Sequence, residues 1–179
     1  MPRIFTTTLL LLAALGLSAC GPTFLPQQIQ AELSPDLSLD QVLAQPDAFK
    51  GKTVLWGGRV IKTINKPQGT VVEVVQLPLD QNGQPQDVDK SHGRFIVSLP
   101  QFLDPAIYAA GREVSVAGQV VGVEELPLGE IKYTYALLRG KVVHLWPKRP
   151  VNVRFDDPMP PLYPGPPAMY WYWSPYMWW

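Results

Sequence analysis

Side chains able to do chemistry are sparse in this 179-residue chain. It has one cysteine, Cys20, and two histidines, His92 and His144. A single thiol rules out an intrachain disulfide and a cysteine-based zinc site, and two histidines are too few for a histidine-rich metal site. Asp80-Gln81-Asn82-Gly83 and Asp87-Val88-Asp89-Lys90-Ser91 gather oxygens of the kind calcium takes. No bidentate Glu follows at loop spacing and Lys90 opposes a cation, so a solvated loop with Asx turns is expected instead. Ser91-His92 sets a hydroxyl beside a base. Adjacent residues project in different directions, however, and no G-x-S-x-G elbow is present. Glu73 sits among valines and is expected to face solvent or to pair with a base such as Arg59 across strands. Arg94 and Arg112 can each reach for Asp104. An ion pair or loop tie is the expected role, with ligand or partner contact as the other use. No acid, base and nucleophile assemble, so no catalytic residue, cofactor or metal is assigned.

Cys20 closes the stretch MPRIFTTTLLLLAALGLSAC. Arg3 gives a small positive start, Leu9 to Leu17 a short apolar core, and Ser18-Ala19 small residues before the cysteine. This is the layout of a secretory signal, and its apolar run is too short for a transmembrane helix. The ending Leu17-Ser18-Ala19-Cys20 resembles the bacterial lipobox. That resemblance implies a diacylglyceryl group on the Cys20 thiol, cleavage before it, and acylation of the new amino group. Burial of acyl chains stabilises attachment by roughly 0.8 kcal/mol per CH₂, so several chains anchor firmly. Gly21, in place of Asp, implies export to the outer membrane by the same resemblance.

The charges balance to zero, and loss of residues 1–19 leaves the chain one unit negative, since Arg3 is the one charge removed. That is no electrostatic footprint for nucleic acid. Twenty prolines and fourteen glycines argue against a helical bundle. Residues 20–37, with Pro22, Pro26 and Pro35, read as a lipidated tether.

The elements that would carry the remaining residues are mostly strands. Ser38 with Gln41 matches a capping box and predicts a short helix limited by Pro46. Runs rich in β-branched and aromatic residues predict strands at about 53–61, 70–77, 94–99, 112–121 and within 133–146. Gly57-Gly58 suggests a bulge or bend in the first. Asp104, Pro105 and Gly111 predict a short helix between the third and fourth strands. Three strands, a helix and two strands is the order of an OB-type barrel. The expected fold is therefore mainly β, a small five-stranded OB-like barrel over 38–146, with a β-sandwich as the alternative. Residues 147–179 carry nine prolines and no periodic apolar pattern, and read as a disordered tail rich in aromatics.

Trp56-Gly57-Gly58, Gly93-Arg94-Phe95, Phe102-Leu103-Asp104-Pro105 with Tyr108, Gly111-Arg112, Gly118, Gly129-Glu130, Tyr133-x-Tyr135 and Leu145-Trp146 follow one another along the chain. In that order and spacing they resemble the Slp family of starvation-inducible outer-membrane lipoproteins, over roughly residues 20–146. The resemblance implies outer-membrane attachment and an association with stress or stationary phase. It implies no catalytic residues, and the aromatic tail departs from it.

The expected function is thus a non-catalytic outer-membrane lipoprotein, held by lipid on Cys20, facing the periplasm and contacting a cell-wall or envelope protein partner. The alternative is a binding module for a small molecule, glycan or peptide on the OB-type face. Loops at 62–69 and 123–132 would flank that face, with Glu130 at its rim. Residues singled out for ligand or partner contact are Arg94, Arg112, Glu130, Trp171, Trp173, Trp178 and Trp179.

Overall fold

A computed structural model describes residues 24–149. The signal segment, Cys20 and the aromatic tail with Trp171, Trp173, Trp178 and Trp179 lie outside the described residues. Among the described residues three short helices come first: α1 (Gln27–Glu32), α2 (Leu39–Ala44) and α3 (Pro46–Phe49). Five strands follow: β1 (Thr53–Lys66), β2 (Gly69–Leu77), β3 (Arg94–Leu99), β4 (Glu113–Leu128) and β5 (Ile131–Leu145). They close into a barrel in the order β1-β2-β3-β5-β4. The β3–β5 pair is parallel and the others are antiparallel. This is the OB-like barrel the strand order predicts.

Alternation fills the barrel. Val54, Trp56 and Val60 of β1 meet Val72 and Val74 of β2, Phe95 and Val97 of β3, Val114, Val116 and Val120 of β4, and Ala136 and Leu138 of β5. Trp56 and Phe95 meet edge to face at 5.7 Å. Helix α2 adds Leu39 and Val42 to this core. Its capping box forms as expected, with Gln41 N donating to Ser38 Oγ and Ser38 N to Gln41 Oε1.

Several elements depart from their expected limits. β1 runs on to Lys66 and turns into β2 through Pro67-Gln68. β4 and β5 likewise continue as one hairpin to Leu128↔Ile131, where loops were expected. The β1 bulge falls between Val60 and Lys62 rather than at the glycine pair. Gly58 serves closure instead, because a Cβ there would stand 1.8 Å from the Val75 carbonyl oxygen. No helix forms after Asp104. Leu103 N is tied to Thr70 Oγ1 and Gly111 N to Val60 O, so the short span between them closes only turns on Asp104.

The stretch read as a tether carries structure from residue 24 onward. Leu25 is buried, α1 follows, Ser34 N donates to Thr53 O, and Glu32 pairs with Lys141.

Candidate functional site

One wall of the barrel is sealed. On the outer side of β1 and β4, Ser115 Oγ donates to Gly83 O at 2.5 Å, and Trp146 Nε1 donates to Ser115 Oγ at 2.9 Å. Gln84 Nε2 reaches Glu113 Oε2 at 3.4 Å. Glu113 and Ser115, polar residues that alternate with the core valines of β4, are therefore buried under the chain that follows β2. Asp80 forms the expected Asx turn there, accepting from Asn82 N and Gln84 N. Gly83 and Pro85 are buried, so this is a packed cover more than a solvated loop.

The opposite wall, formed by β2, β3, the first half of β5 and the later part of β4, is left uncovered by the described residues. Register places Glu73 beside Ile96, and Val75 beside Arg94. The parallel β3–β5 pairing sets Ile96 beside Leu137. Arg94 Nη1 donates to Glu73 Oε1 at 2.7 Å, and Tyr135 OH donates to the same oxygen at 3.3 Å. The Arg94 and Glu73 side chains are 25% and 22% exposed, so the pair is neither solvated nor sequestered. The hydrogen bond to Glu73 holds the Arg94 guanidinium charged beyond its ordinary range. Burial, then the Glu73 charge, pushes the Tyr135 hydroxyl upward and keeps it a donor.

Apolar ground lies on one side of this cluster. A cleft of about 310 Å³ is lined by Val71, Ile96, Val121, Leu126 and Leu137, with Lys66 and Glu124 at its edge. On the other side, a shallow recess is lined by Val75, Ser91, His92, Gly93, Arg94 and Tyr133. Gly93 has φ +122°, and a Cβ there would stand 2.7 Å from the Tyr133 hydroxyl, so glycine lets that ring lie close over the backbone. His92 Nδ1 lies 2.6 Å from Asp40 Oδ2, while Ser91 Oγ bonds to Gly93, so serine and histidine do not form a nucleophile–base pair. Among the described residues no group of three or more His, Cys, Asp or Glu could hold a metal ion.

The singled-out arginines part company. Arg94 lies at the centre of the open face, paired with Glu73 and not with Asp104. Arg112 stands elsewhere, donating to Ile107 O at 3.1 Å and Trp146 O at 2.9 Å. It is a loop tie. Arg59, named as one possible cross-strand partner for Glu73, pairs with Asp87 at 2.9 Å. Glu130 is exposed beside Gly129 at the tip of the β4–β5 hairpin. Tyr135 and the apolar cleft were missed as parts of a site. The outward alternation of Val71, Glu73 and Val75 was their one signal.

A profile of the Outer membrane lipoprotein Slp family matches residues 17–178. The chain belongs to this family. The match reaches past Trp146 through nearly all of the aromatic tail, so the tail falls within the family's span. Outer membrane protein Slp of Escherichia coli (strain K12) is 29% identical over 75% of this chain and 71% of its own. The uncharacterized lipoprotein YeaY of the same organism is 26% identical over 85% and 78%. Among solved structures, the mitochondrial single-stranded DNA binding protein Rim1 of S. cerevisiae is similar at a TM-score of 0.34. That match has 15% identity and covers 54% of this chain and 95% of the other. As a member of the Slp family, this chain is a lipid-anchored outer-membrane protein.

Proposed function

We propose that this Slp-family lipoprotein is non-catalytic and holds a peptide or glycan strand of the envelope in the groove across β2, β3 and β5, facing the periplasm from lipid on Cys20. One observation carries the reading: the Glu73–Arg94–Tyr135 cluster stands between an apolar cleft and a shallow polar recess. The cleft supplies apolar burial. The cluster supplies oriented polar groups at its border, which is the usual division of labour in binding sites. Glu73 is occupied by two donors and His92 by Asp40, so the face is built to bind more than to move protons. The stress or stationary-phase association rests on the family resemblance. A protein level that stays constant through growth and starvation would count against it.

The test places a photo-crosslinking amino acid at Ile96 in intact cells, with Gln86, on the cover of the sealed wall, as control. Adducts should form at Ile96, fall on adding Arg94→Glu, and be absent from Gln86. Equal labelling at both positions overturns the reading.

A further inference from the structure

The chain is fastened to the barrel from its first described residue onward. Phe24 stacks on His144 with ring centroids 4.6 Å apart and meets Trp146 edge-on at 5.6 Å. His144 and Trp146 themselves meet at 4.4 Å. Leu25 is buried, Gln30 Nε2 donates to Leu25 O, and Leu33 pairs with Thr53. Little slack remains before this point. Cys20 is four residues from Phe24, and four residues reach at most ~14 Å when fully extended.

A lipid on Cys20 therefore brings the Phe24–His144–Trp146 cluster to the membrane–water boundary. The cluster suits that place, since tryptophan sits stably at the headgroup level with its ring partly buried. A second apolar residue lies alongside. Ile107 is 51% exposed, and Arg112 ties its carbonyl to that of Trp146. Lys148 follows Trp146 in the chain and brings a positive charge to the same end. A basic residue beside a membrane anchor is attracted to anionic lipid.

We infer that the barrel docks directly on the lipid surface through the Phe24–His144–Trp146 cluster and the adjoining Ile107 turn, and that this docking turns the open groove away from the bilayer. The cluster occupies the C-terminal end of β5. The hairpin tip at Glu130 lies at its beginning, roughly 50 Å away along the strand at about 3.3 Å per residue. The Ser115 that receives Trp146 lies near the start of β4, whereas the cleft takes Val121 and Leu126 from the later part of that strand. The inference rests on lipidation of Cys20, and the experiment separates the two.

Lipidation consumes the Cys20 thiol, so a single introduced cysteine can be labelled alone. Full-length lipidated protein carrying Lys148→Cys or Lys132→Cys receives a fluorophore and is reconstituted into phosphatidylethanolamine–phosphatidylglycerol vesicles. Some of the lipids carry headgroup nitroxides. Quenching should be several-fold stronger at position 148 than at 132. A flexible Gly-Ser insertion between Pro22 and Thr23 should erase that difference without touching the barrel. Equal quenching in protein that floats with vesicles and carries lipid mass on Cys20 overturns the docking alone. Protein without that mass overturns both the anchor and the docking. A difference that survives the insertion overturns the short reach as its cause.

Discussion

The two walls of this barrel start from the same alternating pattern and end differently. On the wall of β1 and β4, Gly57, Glu113 and Ser115 point outward and are buried beneath the chain at 78–87 and the Trp146 ring. On the wall of β2, β3 and β5, Val71, Glu73, Ile96 and Leu137 also point outward, yet nothing among the described residues covers the cleft lined by Val71, Ile96 and Leu137. A small residue marks the covered wall, because a segment must lie flat against it. Larger apolar residues flanking an ion pair mark the open one. An outward valine or isoleucine in such a strand thus signals a site only where no neighbouring segment packs over it.

The largest expected effect comes from filling the covered wall. A Cβ on Gly57 would stand 2.5 Å from Leu79 Cδ2 and 2.9 Å from the Val114 carbonyl oxygen. Gly57→Leu should destabilise by about 3 kcal/mol through overpacking. Ile96→Ala on the open wall should cost only about 1 kcal/mol, less than a full core truncation. Equal loss in urea titrations would mean that the two walls are covered alike.

Arg94→Ala comes next. The pair with Glu73 is partly buried, so its loss should cost about 1–2 kcal/mol, between exposed and buried ion pairs. Arg59→Ala breaks the exposed Asp87 pair and should cost at most about 0.5 kcal/mol. A larger loss at Arg59 would contradict the special standing of the open-face cluster.

Proton linkage separates the regions more finely. Tyr135 has a raised folded value, so its contribution is whole below the ordinary tyrosine value near ~10 and is lost as pH rises through the folded one. Tyr135→Phe should remove this alkaline loss from the thermal midpoint. The exposed Glu32 at the N-terminal clip behaves oppositely. Hydrogen bonding and attraction from Lys141 lower it, so its contribution is present above the ordinary value of 4.5 and is lost as pH falls through the lowered one. Glu32→Gln should flatten that acid limb. Unchanged limbs in both variants would remove the linkage argument.

The smallest effect is expected at the hairpin tip. Glu130 is exposed, so Glu130→Ala should change stability by less than about 0.5 kcal/mol. A strong loss would show that the tip is packed, not presented.

The chain's own pattern determined the strands and the helix that helps fill the core. Period-two runs such as Val72-Glu73-Val74 and Val97-Ser98-Leu99 announce strands because alternation is a local property of the pleat. Ser38 and Gln41 announce a cap because they are three residues apart. Cys20, at the end of its apolar run, gives the local lipobox-like pattern from which the anchor is expected. What only the tertiary structure decided depends on register and cover. Glu73 takes Arg94 rather than Arg59 because β2 pairs with β3 in one particular register, and Tyr135 joins them through the parallel β3–β5 pairing. Glu113 and Ser115 look like solvent positions until the 78–87 segment folds over them. The residues after Asp104 look helical until Leu103 and Gly111 are tied to β2 and β1, leaving room only for turns. Each of these outcomes joins residues distant in sequence, whose encounter is set by barrel closure and not by any local preference.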